Sequence, residues 1–398
     1  MVTQVVLFDD SRRESLLPLT FTRPVSMIRV GVLTIHEKWE KVLKRPCGFF
    51  TAPYLRRKFH ANQEGKGPCL FINGGIIPTS NLIDAIGSLK LYEAIIYGDK
   101  LVAAILPDLP SDDFPLSSVS FPIAQKWTNN LLEIEHPWDI FSKNGEALLR
   151  DFDLLTKGRT SEKISSSNKV LGSHPIFIEK GAVVECSVLN ASNGPIYIGE
   201  NAEIMEGSLV RGPFALCDNS TLKLGAKIYG PTTIGPHCKI GGEVNNCVFF
   251  GFSNKAHDGF IGNSVVGEWC NLGADSNTSN LKNNYASVKL WNYSKGGFLD
   301  TGLQFCGLIM GDHSKCGINT MFNTGTVVGV SANIFGDGFP RNFIPSFSWG
   351  GAQGFAIYKT NKAFETAQKV MARRGLNLDD IEREILEHVF NVTTCYRH

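Results

Sequence analysis

Ile198, Ile204, Val210, Leu216, Leu222, Ile228, Ile234 and Ile240 stand six residues apart, eight apolar positions without a miss. A period of six is neither the roughly 3.6 of a helix nor the simple alternation of a strand. It is the period of a β-helix built from hexapeptides, in which each short flat strand sends one apolar side chain into a narrow core. Three strands close a triangular coil, so one coil takes about 18 residues. Ile178 and Val184 begin the pattern earlier. Two further runs follow: Phe260, Val266, Leu272 and Thr278, then Met310, Cys316, Phe322, Val328 and Ile334. Residues 178–336, less a loop of about 30, give about seven coils. The pattern breaks over 249–258 and again over 280–306, a stretch that carries Tyr285, Trp291, Tyr293 and Gly296-Gly297 and reads as a long loop. Loops leaving a rigid scaffold are where function concentrates.

Forty of the 398 residues are glycine, most of them beyond residue 170, so the two halves are built differently. A chain of this length exceeds one ordinary core, and the serine-rich stretch from Thr156 to Asn168 is its natural linker. The expected division is an α/β domain over 1–155, a linker over 156–175, the β-helix over 176–345 and a helical tail over 346–398. Net charge is +1 from 39 basic and 38 acidic residues with no basic run, which argues against a nucleic-acid or membrane partner. No window approaches the roughly 18 apolar residues of a membrane span. The start, Met1-Val2-Thr3-Gln4, lacks the basic and long apolar regions of a signal peptide, so a cytoplasmic protein is expected. Ten scattered cysteines show no zinc-ligand spacing and read as reduced, mostly buried thiols; no metal site is expected.

In the first half, Val5-Val6-Leu7-Phe8 and Cys69-Leu70-Phe71-Ile72-Asn73 read as buried strands, and 95–99 with 101–106 as a hairpin. Residues 32–44 suit a helix, and Ser80 suits the N-cap of another. Strands alternating with helices give an α/β sheet, whose sites cluster at strand ends.

The segment Leu16-Leu17-Pro18-Leu19-Thr20-Phe21-Thr22-Arg23-Pro24-Val25 resembles the start of the sugar-phosphate nucleotidyltransferases. The match is partial. Asp9-Asp10-Ser11-Arg12-Arg13-Glu14 stands where that family has a glycine-rich phosphate loop, Val25 where it has a lysine, and Asn73 where it has a metal-binding aspartate. A glycine-rich loop works because backbone N–H groups approach phosphates closely, and bulky residues remove that approach. Arg12, Arg13 and Arg23 are the candidates to hold a nucleotide phosphate; Arg12 and Arg13 read equally well as solvated surface arginines. Magnesium with UTP enters only if this domain is active.

Between the two breaks lie Lys255-Ala256-His257-Asp258-Gly259-Phe260-Ile261-Gly262 and, further on, Asn271-Leu272-Gly273-Ala274. These resemble the acetyltransferase half of the bifunctional GlmU enzymes, hexapeptide-repeat acyltransferases that acetylate glucosamine-1-phosphate and then attach UMP. The order of domains agrees, and the chain is identified as a divergent bacterial branch of that family. The resemblance implies a left-handed β-helix, a homotrimer, and acetyl-CoA and a sugar phosphate as partners. It implies His257 as general base: histidine's ordinary pKa of about 6.5 lets an imidazole take the proton of an attacking amine at pH 7. Asn271 would bind the sugar beside Phe260, the Ala274 backbone N–H would sit by the thioester, and Asn280 would line the acetyl-CoA groove. Lys227 and Lys255 stand in for basic residues that do not align cleanly. Asn271 and Asn280 read equally as rungs of a structural amide ladder. His237 and His313 read as surface residues at coil corners. Two rival readings stay open: a nucleotidyltransferase whose β-helix only trimerises it, and a scaffold without catalysis.

Past the repeat, Arg341 is a candidate for CoA phosphates or a solvated side chain. Residues 361–373 and 378–390 suit helices, the second capped by Asn377, which would close the last coil or meet a neighbouring subunit.

Overall fold

The computed structural model describes residues 2–61, 67–109 and 121–397. Contacts divide the chain into two units. One holds Met1–Leu16, Thr22–Ile28 and Leu33–Glu135; the other holds Leu17–Phe21, Arg29–Val32 and His136–His398. The boundary thus falls earlier than the serine-rich stretch suggests, and the second unit takes two short pieces from the early sequence. Among the described residues no helix is long and apolar enough to cross a membrane.

The first unit is a mixed six-stranded sheet. Its strands are β1 (Gln4–Phe8), β2 (Gly48–Phe50), β3 (Cys69–Asn73), β4 (Glu93–Tyr97), β5 (Lys100–Leu106) and β6 (Ile123–Lys126), in the order β2-β1-β3-β5-β4-β6. β1 lies parallel to β2 and β3, and its five residues are all buried, the apolar run Val5-Val6-Leu7-Phe8 together with Gln4. The expected hairpin is β4–β5. Helix α1 (Ile35–Leu43) starts on a capping box the sequence carries openly: Thr34 accepts from the Glu37 N–H at 3.1 Å and Glu37 returns to the Thr34 N–H at 2.6 Å. Helix α2 (Ser80–Gly87) begins one residue early, with Thr79 at the N-cap and Ser80 inside.

The second unit opens with helices α3 (Pro137–Ser142) and α4 (Asn144–Thr156) and then winds into a parallel β-solenoid of about ten turns. Successive rungs pair in parallel along three faces, with Asn277–Thr278 and Met321–Phe322 forming a separate parallel pair beyond the first break. The first face begins with Lys169–Gly172, inside the stretch expected to be linker, and continues through Val188–Ala191, Leu209–Arg211 and Lys227–Tyr229. The second runs from Ile176–Ile178 to Phe343–Ile344, and the third from Val183–Val184 to Ser348–Gly351. The eight-step hexad run forms rungs 18 residues apart, as in Ile198↔Leu216↔Ile234 and Ile204↔Leu222↔Ile240. Their side chains form one continuous buried cluster down the axis; each fully buried Leu or Ile contributes roughly 2 kcal/mol by leaving water.

The first break is a shortened coil. Glu243–Gly251 runs as one strand across the first corner, with Asn246 at φ 51°, so Ile234 pairs with Phe249 and Ile240 with Lys255, fifteen residues on. The following coil is 17, with Val244 paired to Ile261. Ile261, fully buried, is therefore the interior residue, and Phe260, placed in the core by the hexad count, is half-buried on the outside. Shorter coils and rungs beyond both ends of the hexad run raise the count from about seven to about ten. The second break is an antiparallel hairpin, Lys289–Asn292 with Gly297–Asp300, folded back so that Trp291 stacks on Phe343 with ring centroids 4.1 Å apart.

At the corner between the second and third faces, His237, Phe252, Trp269 and His313 all have φ near 60° and stack ring on ring, at 4.7, 4.2 and 6.3 Å. The two histidines are therefore rungs of an aromatic ladder and half-buried, rather than free surface groups. Helices α5 (Thr360–Ala372) and α6 (Asp380–Val392) complete the chain, with Asp379 and not Asn377 capping α6 through the Glu382 N–H. They do not simply close the last coil. The chain between them reaches back to the ladder, where Arg374 donates to the His237 carbonyl at 3.0 Å. The last rung is extended by an antiparallel strand, Gly354–Ile357.

Candidate functional site

His257 stands on the turn from the third face to the first, between the rung Asn254–Lys255 and the strand Phe260–Glu268. Turns at this corner stack closely. Asp275 N–H donates to the Asp258 carbonyl at 3.0 Å, and Asn319 N–H to the Ala274 carbonyl at 2.8 Å. With Asn254 paired to Asn271 on the preceding rungs, the turn that carries Ala274 stacks directly on the turn that carries His257. Gly259 makes the stacking possible: at φ +111° a Cβ there would lie 2.2 Å from the Ser276 carbonyl oxygen.

The His257 imidazole is exposed and hydrogen-bonds to nothing among the described residues. The Ala274 N–H likewise has no acceptor among them. An exposed imidazole and an amide N–H, each without a partner among the described residues, thus lie on neighbouring turns, whose backbones are spaced about 4.8 Å along the axis. Asp258 and Asp275, both exposed, flank them.

The other expected residues distribute as follows. Phe260 lies over Gly262, where its ring tip meets the Asn280 amide. Asn280 also donates to Asn263 Oδ1 at 2.9 Å, the amide rung its structural reading requires. Asn271 is exposed on the third face, paired with Asn254 on one side and Lys315 on the other. Lys227 is exposed on the first face, two rungs from Phe260 through Glu243. Lys255 does not face outward. It fills an interior position, 1% exposed, and its Nζ donates to the carbonyls of His257 at 2.8 Å and Gly241 at 3.0 Å. Arg341 is exposed, 5.5 Å over the Phe355 ring, two coils beyond the Asn280 level. His257 and Ala274 therefore lie on neighbouring turns, Phe260 and Asn280 approach each other at Gly262 on the first face, and Lys227 and Arg341 lie elsewhere along the solenoid.

In the first unit, Arg12, Arg13 and Asn73 line one narrow pocket with Asp9, Asp10, Lys100, Glu133 and Glu135. Arg12 is held by Asp10 at 2.8 Å and Asp99 at 2.9 Å, with Glu135 at 3.5 Å. Arg13 donates to the Tyr54 hydroxyl at 2.7 Å and lies 3.4 Å from Asp9. Neither is a solvated surface arginine. Burial pushes the Asp9 carboxyl up, against the pull of Arg13, Thr51 and the Val25 N–H. Asn73 Oδ1 accepts from Gly75 N–H, and its Nδ2 donates to Asp10 and to the Leu101 carbonyl. Arg23 is buried. Among the described residues no cluster of three or more His, Cys, Asp or Glu could hold a metal ion.

Residues 5–160 match the family model described as sugar nucleotidyl transferase. The chain is 28% identical over 264 residues to a bifunctional sugar-1-phosphate nucleotidylyltransferase/acetyltransferase of Sulfurisphaera tokodaii, covering 65% of this chain and 59% of that protein. It is 28% identical over 197 residues to the bifunctional protein GlmU of Methanocaldococcus jannaschii, covering 50% and 41%. It thus spans about half the length of the curated relatives it matches. The solved polySia specific acetyltransferase NeuO overlays at a TM-score of 0.31 and 13% identity, over 53% of this chain and 99% of that one. Residues 5–160 are thus similar to the sugar nucleotidyl transferases, the longer matches are to bifunctional GlmU-like proteins, and in this chain a parallel β-solenoid follows the nucleotidyltransferase-like domain.

Proposed function

We propose that the chain is an acyl-CoA-dependent transferase that acetylates the amine of a sugar-1-phosphate, glucosamine-1-phosphate being the expected acceptor, at the corner carrying His257. The observation that carries this reading is an exposed imidazole on the turn next to an amide N–H, neither of them with a partner among the described residues. An amine attacks a thioester carbonyl only through its lone pair. His257 would take the amine proton as the C–N bond forms, and the Ala274 N–H would donate to the carbonyl oxygen as it gains charge. The C–S bond then breaks and the proton passes to the departing thiolate. Acetyl-CoA, when bound, supplies the activated acyl group. Asp258 and Asp275 at the corner favour an acceptor that arrives as an ammonium, which must first release one proton to solvent; the second is the one that His257 takes during attack. Asn271, Phe260 and Asn280 would position the sugar and the acyl donor.

The first domain does not fit a magnesium–nucleotide complex equally well. Arg12 and Arg13 already face carboxylates or a hydroxyl, and Asn73 already uses both ends of its amide. No nucleotidyl-transfer step is therefore assigned to these residues. The test is a coupled assay of both half-reactions on the purified protein. Acetylation of glucosamine-1-phosphate that is lost in His257→Ala supports the proposal. UTP turnover without any acetylation would favour a nucleotidyltransferase with a trimerising solenoid, and neither activity would favour a scaffold.

A further inference from the structure

On the third face the interior rung passes from Ile240 to Lys255 to Leu272. A lysine here breaks an apolar column, and burial disfavours its charged form. The structure shows what it does instead of filling space. Its stem follows the core, and the ammonium ends inside the corner, where it joins two turns by donating to the carbonyls of Gly241 and His257. The corner is shaped around it. Gly242 has φ +70°, and a Cβ there would lie 2.8 Å from Nζ. The coil is also the shortened one, fifteen residues from Ile240 to Lys255. Asp258 and Asp275, with the Cys247 and Cys316 thiols, are the titratable groups whose charge acts on the ammonium, and burial still pulls it down to about 8. An isoleucine or leucine would fill the rung equally well but would leave the two turns untied.

We propose that Lys255 is a positioning residue for His257, holding the turn from inside the solenoid so that the imidazole stands at a fixed height outside it. This rests on the reading of His257 as the base. Two apolar variants separate the role from simple packing: Lys255→Met, which keeps an unbranched stem, and Lys255→Leu, which continues the rung. The readouts are thermal unfolding, the NMR titration midpoint of the His257 imidazole, and steady-state acetyl transfer. The expected result is a cooperatively folded variant with Tm no lower than the parent's and a shifted His257 midpoint. Its kcat should fall by roughly 10- to 100-fold, with KM for acetyl-CoA within about twofold. An unchanged midpoint with unchanged kcat overturns the proposal. Failure of both variants to fold also overturns it, because the lysine is then structural. Full activity in His257→Ala would sink the base assignment alone, since the midpoint still reports where Lys255 holds the ring.

Discussion

Lys255 and His257 meet through one hydrogen bond: the Lys255 Nζ, inside the solenoid, donates at 2.8 Å to the carbonyl of His257, whose imidazole stands outside. One corner therefore carries both a lysine set into the apolar column and the proposed base, on opposite sides of the same backbone. His257→Ala removes only the outer partner and leaves that carbonyl in place. It should lower acetyl transfer by roughly 10²–10⁴ while circular dichroism and Tm stay at parent values. Parent-level turnover in the variant would end the case for a base here.

The pH dependence of stability should carry the mark of Lys255. Its folded pKa is depressed from 10.5 to about 8. Between those values the unfolded chain holds a proton that the folded chain has released, so stability rises with pH across that window. Below about 8 the lysine is charged in both states and its burial is destabilising, by up to about 3 kcal/mol relative to its neutral form. Lys255→Met should accordingly be more stable than the parent near pH 7, with the gap closing towards pH 10. Chemical denaturation at several pH values measures this, and a gap that widens with pH would contradict it.

Gly259→Ala tests the stacked corner. The new methyl would collide with the Ser276 carbonyl at φ +111°, so a loss on the order of 2–4 kcal/mol is expected. Gly297→Ala is the control: a Cβ there meets nothing within 4 Å and its φ is ordinary, so a change within about 0.5 kcal/mol is expected. Equal Tm for the two variants would mean that the turns are not held at this spacing.

For the first domain, weak or absent UTP turnover with magnesium is expected, because Arg12 and Arg13 are already engaged by this chain's own side chains. Robust turnover abolished by Arg23→Ala would show that this branch holds the nucleotide with different residues.

The resemblance to hexapeptide acyltransferases implies a homotrimer of about 131 kDa, from protomers of 43.7 kDa. Sedimentation at micromolar concentration checks it directly, and a species of monomer mass alone would remove the trimer from the account.

The solenoid was legible because its signal is local and repeated: Ile204, Leu222 and Ile240 point inward for the same reason at every coil. The capping box of α1 is a local signal of the same kind, Thr34 and Glu37 three residues apart at the helix start. Phe260 and Lys255 were not. Counting back 18 residues from Leu272 lands on Asn254, one short of the residue that turns inward, and a slip of one exchanges inside for outside. The coil lengths of 15 and 17 that cause the slip follow from Glu243–Gly251 turning its corner within a single strand, at the left-handed residue Asn246, which no periodicity announces.

What the sequence determined by itself was the architecture, since the hexad and the glycine content are written along the chain; the spacing around His257 singled that residue out as the candidate base. What only the tertiary structure decided were the relations between residues far apart in sequence. Arg12 meets Asp99 and Glu135, Ala274 settles one turn above His257, and Lys255 reaches back to Gly241. Each depends on which strand lies beside which and in what register. A hydrogen bond of 3 Å is set by that pairing and not by the composition of either segment.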